Sequence, residues 1–94
     1  MAFMVIQGSV EDYDRWRPEF NALGTTRKKY GSKGGTILRS DEDPNYITVV
    51  FEWDNLDNAR AFTASDELRE TMQKAGVKGP PTFYFLNEAY KTPA

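Results

Sequence analysis

Three of the segments that read as β-strands in this chain are apolar on both faces, and the chain carries only enough helix to cover one. Strands are expected at residues 2–8, 36–40, 46–53 and 82–89. Along 46–53 the odd positions hold Ile47, Val49, Phe51 and Trp53, and the even positions still include Tyr46 and Val50. Phe83 and Phe85 likewise oppose Tyr84 and Leu86, and residues 3–6 contain no polar side chain. A sheet with one solvated face alternates cleanly between apolar and polar residues, so the second face here needs a cover. A second copy of the same sheet supplies one.

The length of 94 residues makes one domain spanning 1–94, small enough for burial at an interface to matter to its stability. With 39% hydrophobic and 28% charged residues and no long apolar run, a soluble, cytoplasmic protein is expected, and residues 3–6 are too short for a signal-peptide core. The chain has no cysteine and no histidine. That removes thiolate chemistry, the Ser-His-Asp arrangement and the commonest ligands of zinc and haem iron. A net charge of −2 gives no basic footprint for nucleic acid or for an anionic membrane, so neither is expected as a partner.

Residues 12–30 are expected to form a first helix. Tyr13, Trp16, Phe20, Leu23, Arg27 and Tyr30 recur on one face at steps of three and four. Acidic residues gather at its start and Arg27, Lys28 and Lys29 at its end, as the helix dipole favours. Gly31 stops it, and Pro18 predicts a kink or a first turn set apart. Gly31-Ser-Lys-Gly-Gly35 reads as that stop plus a tight turn, because a phosphate loop would follow a strand and precede a helix. Residues 40–45 form a polar hairpin loop; its acidic residues only mimic a calcium loop, since Pro44 interrupts the pattern and no metal site is expected. Asp54 or Asn55 caps a helix with Leu56, Ala59 and Phe62 inward. Ser65 caps another with Leu68, Met72 and Ala75 inward, ending at Gly76. Gly79-Pro80-Pro81 is expected as extended backbone before the last strand.

The resulting order of strand, helix, strand, strand, helix, strand is the α+β, ferredoxin-like βαββαβ unit, an antiparallel sheet with helices on one face. Two such sheets face to face would give a homodimer burying above about 2,000 Å².

Tyr13-Asp-Arg-Trp16, Gly31-Ser-Lys-Gly-Gly35, Phe51-Glu-Trp53 and Gly79-Pro-Pro-Thr-Phe-Tyr84 resemble the dimeric α/β-barrel superfamily. Within it they look most like the antibiotic-biosynthesis-monooxygenase group, over nearly the whole chain. The resemblance implies pairing as a dimeric α/β barrel and a pocket for an aromatic or polyketide-like molecule. It also implies cofactor-independent monooxygenation as the inherited chemistry, with no cofactor bound. The haem-degrading branch of the superfamily relies on a histidine, which this chain lacks.

Such oxygenation needs a dry pocket and a group that stabilises the substrate anion. Arg27, on the apolar stripe, is the candidate for that group, the alternative being a packed stem whose guanidinium reaches a rim carboxylate. Tyr30 and Tyr84, with Tyr13, bring hydroxyls of which one could act as an acid or orient a ligand, so Arg27, Tyr30 and Tyr84 are the catalytic candidates. Trp16, Phe20, Trp53, Phe62 and Tyr84 are expected to line a cavity between helices and sheet, with Asn87 as a polar orienting group. The Arg27, Lys28, Lys29, Lys33 cluster is attributed to the helix end. Two other readings share the fold: a non-catalytic binding or sensing module, and an assembly role with a collapsed core and no pocket.

Overall fold

The computed structural model describes residues 1–94 and has the shape of a slab, 35 × 32 × 19 Å. The short dimension is that of one sheet and one helical layer, since a helix with its side chains is about 10–12 Å across. Element order is β1 (Ala2–Val10), α1 (Tyr13–Ala22), α2 (Gly24–Tyr30), β2 (Ser32–Arg39), β3 (Tyr46–Trp53), α3 (Leu56–Thr63), α4 (Asp66–Ala75) and β4 (Val77–Asn87). The four strands form one antiparallel sheet in the order β2-β3-β1-β4, the ferredoxin-like arrangement expected from the sequence.

The first helical segment is two helices, and its break is not at Pro18. α1 runs through Pro18, whose missing N–H leaves the carbonyl of Asp14 to solvent on an exposed turn. The interruption comes at Leu23. There the Phe20 carbonyl accepts from the Leu23 N–H at 3.3 Å, a tightened turn, and α2 restarts at Gly24 with the Arg27 N–H donating to Leu23 at 3.0 Å. Gly24-Thr25-Thr26, a glycine and two β-branched residues, is the weakest helical stretch of the segment. The apolar stripe survives the break, and Trp16, Leu23 and Arg27 are all buried.

Gly31 stops α2 as expected, but β2 starts directly after it instead of after a tight turn, and Gly79-Pro80-Pro81 lies within β4 instead of before it. β2 begins at Ser32 and carries a bulge between Ser32 and Gly34, with Gly34 at φ 112°. β4 begins at Val77. Between Lys78 and Thr82 it slips against β1, placing Gly79, Pro80 and Pro81 opposite Gly8. Prolines are admissible there because β4 is an edge strand and the slipped residues owe no donor to the ladder. Asn55 and Ser65 cap α3 and α4 as expected, each accepting from the backbone N–H three residues on, and Gly76 ends α4 in the left-handed region.

Fourteen residues are buried, and the apolar ones form one cluster on the helix side: Met4 and Val10 of β1, Ile47, Val49, Phe51 and Trp53 of β3, and the inward residues of the helices. Asn45 ties this layer to the hairpin, its Oδ1 accepting from the Tyr13 N–H at 2.9 Å and its carbonyl from the Val10 N–H at 2.8 Å. The other face of the sheet has no helix. Register places Thr36, Val50, Val5 and Tyr84 in one row across all four strands, with Phe3 beside Leu86 in the next. Tyr84, Leu86 and Leu38 are 44%, 46% and 49% exposed on that side.

A Cβ at Gly35 would overlap the Val50 carbonyl oxygen and the Phe51 ring, one of them rigid backbone. Gly35→Ala is therefore expected to lower stability by about 1–3 kcal/mol, read by denaturant unfolding. Gly34→Ala has open space but a positive φ, and differs from it in mechanism.

Candidate functional site

Two spaces lie between the helices and the sheet, separated by a single layer of side chains. The inner one is a cavity of about 60 Å³ under α1, α2 and α4, walled by Trp16, Leu23, Ile47, Phe62, Leu68 and Met72 among others. The outer one is an open cleft of about 770 Å³ between α1–α2 and the edge strand β2. Phe20, Arg27, Val49 and Phe51 belong to both and form the partition. A dry cavity that takes benzene measures about 150 Å³, so the inner space alone holds no aromatic ring in this packing. The cleft falls within the range of small-molecule sites, about 300–1,000 Å³.

Arg27 is the side chain on which the two spaces meet. It is 9% exposed, and no carboxylate pairs with it. Its Nη1 donates to the Phe20 carbonyl at 2.8 Å, the same oxygen that the helix break turns aside from a regular turn. The guanidinium lies 4.0 Å from the centre of the Phe20 ring and 5.4 Å from that of Phe51. Burial pushes its pKa down from the ordinary guanidinium value to about 10, so it remains a cation at neutral pH. Neither a snorkelled head nor a rim carboxylate accounts for it. One carbonyl and two ring faces hold a charge that still has donors to spare for an anion.

The other expected site residues divide. Trp16, Phe20 and Phe62 wall the inner cavity, and the Trp16 and Phe20 rings stack at 4.7 Å. Trp53 is buried, but behind Phe62 at 5.5 Å and outside both spaces, with its Nε1 lacking a hydrogen-bond partner. Tyr30 packs edge-on against Phe62 at 5.6 Å and lines neither space. Tyr84 does not reach the helix side. It pairs with Val5 on the bare face, because Phe83 and Phe85 take the inward parity of β4. Asn87 is exposed at the end of β4, beside a shallow depression that it shares with Trp53 and Asp54. Tyr13 lines the cleft instead: its hydroxyl accepts from Arg17 Nη1 at 2.9 Å and its ring carries Arg39 at 3.9 Å.

The cleft itself went unread in the sequence. Arg17, Asn21, Gly24 and Lys28 follow Tyr13 at helical steps of four, four, three and four, a polar stripe beside the apolar one, and β2 adds Ser32 to Thr36 opposite. That spacing was the available signal.

Solved structures with the same arrangement include an antibiotic biosynthesis monooxygenase, 15% identical, with a TM-score of 0.73 over 96% of this chain and 100% of that one. SnoaB, a cofactor-independent oxygenase from Streptomyces nogalater, gives 14% identity and a TM-score of 0.78 over 99% and 97%. The chain has the antibiotic-biosynthesis-monooxygenase-like fold. Rv0793 from Mycobacterium tuberculosis shares it at 12% identity, a TM-score of 0.67, and 97% and 98% coverage. No family model matches the sequence, and comparison with curated proteins gives no match. No helix is long and apolar enough to cross a membrane.

Because burial lowers the pKa of Arg27, holding it charged opposes folding, fully so below about pH 10. Above about pH 10, up to the ordinary guanidinium range, the unfolded chain binds more protons than the folded one at this group, and the penalty is relieved as pH rises. Arg27→Met is expected to match or exceed the wild type in thermal stability at neutral pH, with its advantage shrinking above about pH 10. Phe51→Ala, which opens the same partition, should cost about 3–5 kcal/mol. Calorimetric melting of both variants against pH checks this.

Proposed function

We propose that the protein binds a small phenolic or enolic aromatic between α1–α2 and the sheet and oxygenates it with dioxygen, without a bound cofactor, as a homodimer. The observation that carries this reading is Arg27: a desolvated cation without a carboxylate, placed between an apolar cavity and an open cleft. The likeness in fold to SnoaB supports the reaction class.

The chemistry asks little of the protein beyond this. A phenol or enol that loses its proton becomes electron-rich, and a guanidinium beside the oxygen favours the anion. No carboxylate lines either space and the chain has no histidine, so water takes the proton. The anion passes one electron to dioxygen, and the resulting radical and superoxide combine through a new C–O bond. The hydroperoxide then loses water, so that a CH₂ group becomes C=O, one oxygen atom entering the product and the other leaving as water. Phe20 and Phe51 beside the anion shield one side of it from water and keep Arg27 close. Since the inner cavity is smaller than a ring, the ring lies on the cleft side of the partition, or Phe20 swings to join the two spaces.

The bare face of the sheet supports the homodimer. Phe3, Val5, Leu38, Val50, Tyr84 and Leu86 share it, and a second copy would bury them all. Tyr84 then serves association and not the pocket. The small inner volume favours a second reading, a binding or sensing module that turns nothing over.

Oxygen uptake with an anthrone and a panel of hydroquinones is expected with the wild type and is expected to fall at least about a hundredfold in Arg27→Met, as for loss of an oxyanion donor. No uptake with any of them, while ligand still raises the melting temperature, would replace the oxygenase by the binding module. For the dimer, Val5→Lys, at the centre of the bare face, is expected to give a folded monomer in sedimentation; a wild type already monomeric at micromolar concentration removes the dimer.

A further inference from the structure

The cleft outside Arg27 is lined by four cations, Arg17, Arg27, Lys28 and Lys33, and by no carboxylate, in a chain whose acids outnumber its bases fourteen to twelve. The cations come from three elements, α1, α2 and β2, so no single helix end explains them together. Arg17 meets neutral partners only, the Tyr13 hydroxyl and Asn21 Oδ1. Lys33 lines the cleft at the sheet edge, but its ammonium is turned to Glu52 at 3.8 Å on the side of the sheet away from the helices, a weak, water-exposed bridge that an anion in the cleft must displace. Between these charges the floor is apolar, formed by Phe20, Ile37, Val49 and Phe51. On the β2 side Gly34 and Gly35 present no side chain that would stand between Lys33 and that floor.

We propose that Arg17, Lys28 and Lys33 form a carboxylate subsite, so that the ligand is an aromatic acid with its ring against Phe20 and Phe51 and its carboxylate in the cleft. The proposal deepens the small-molecule reading above and rests on it. A ring with one acidic substituent matches both halves of the cleft, apolar floor and cationic walls, as a neutral quinol does not. The walls also repel one another while the cleft is empty, and an anion relieves that repulsion. Positive potential focused in a concave site further raises the local concentration of an anionic ligand.

The test compares a hydroxynaphthoic acid with its own methyl ester, which shares the ring and the phenol, with binding followed by titration calorimetry. The wild type is expected to bind the acid on the order of tenfold more tightly than the ester, the combined effect of several exposed ion pairs. The preference should disappear in Lys28→Gln/Lys33→Gln and at about 1 M salt, with the ester's affinity unmoved. Lys74→Gln, on α4 and outside the cleft, should retain it. Equal binding of acid and ester by the wild type, or an unchanged preference in the double variant, overturns the subsite and leaves the aromatic pocket standing. Binding of neither molecule overturns both.

Discussion

The hydrogen bond from Arg27 to the carbonyl of Phe20 is the contact on which the interior is organised. A guanidinium in an apolar layer is costly unless its donors are used, and the usual solution is a carboxylate. Here the acceptor is backbone, released where α1 gives way to α2. The break, the charge and the partition between the two spaces are thus one arrangement. Straightening the helix would return the Phe20 carbonyl to its ladder and leave the cation with ring faces alone.

That arrangement sits in a thin protein. With fourteen buried residues and a single helical layer, the chain has little core to offset a desolvated charge, and its sheet shows apolar side chains on the side away from the helices. The two features answer one another: burial gained by covering that face would offset what is given up at Arg27. The proposed pocket and the proposed interface thus fall on opposite sides of the same four strands.

Much of the fold was legible because strand periodicity is stiff. Residues 46–53 were bounded correctly, since every odd position from Ile47 to Trp53 is apolar and a capping asparagine follows. The stripe from Tyr13 to Tyr30 was legible too, although it spans two helices, because the break keeps the three-and-four spacing in phase. Its location is hidden because proline outweighs Gly24-Thr25-Thr26 as a local signal, and because the contact that uses the released Phe20 carbonyl comes from Arg27, seven residues on. Tyr84 shows a different limit. Two faces of β4 were evident, but their inward parity is set by pairing with β1, and two-residue periodicity alone cannot say which face meets the helices. Gly31 marked the end of α2 truly, but glycine and proline hid the starts of β2 and β4, where bulges carry the strand through residues that ordinarily end it. Three of the cleft's cations, Arg27, Lys28 and Lys33, stand close in the chain and read as a helix-end cluster; what the sequence hides is that Arg17 of α1 joins them while Lys29, their neighbour, does not.

The same bulges govern how the sheet meets other sheets. An uncovered strand margin is an invitation to any extended peptide, and an apolar sheet with open margins is a seed for fibrils. At the β4 margin Pro80 and Pro81 offer no N–H, and at the β2 margin the kink around Lys33 and Gly34 twists the ladder and places an ammonium beside it. The bulges thus interrupt each margin near one end, which disfavours sideways growth and leaves the greasy face to be met from above.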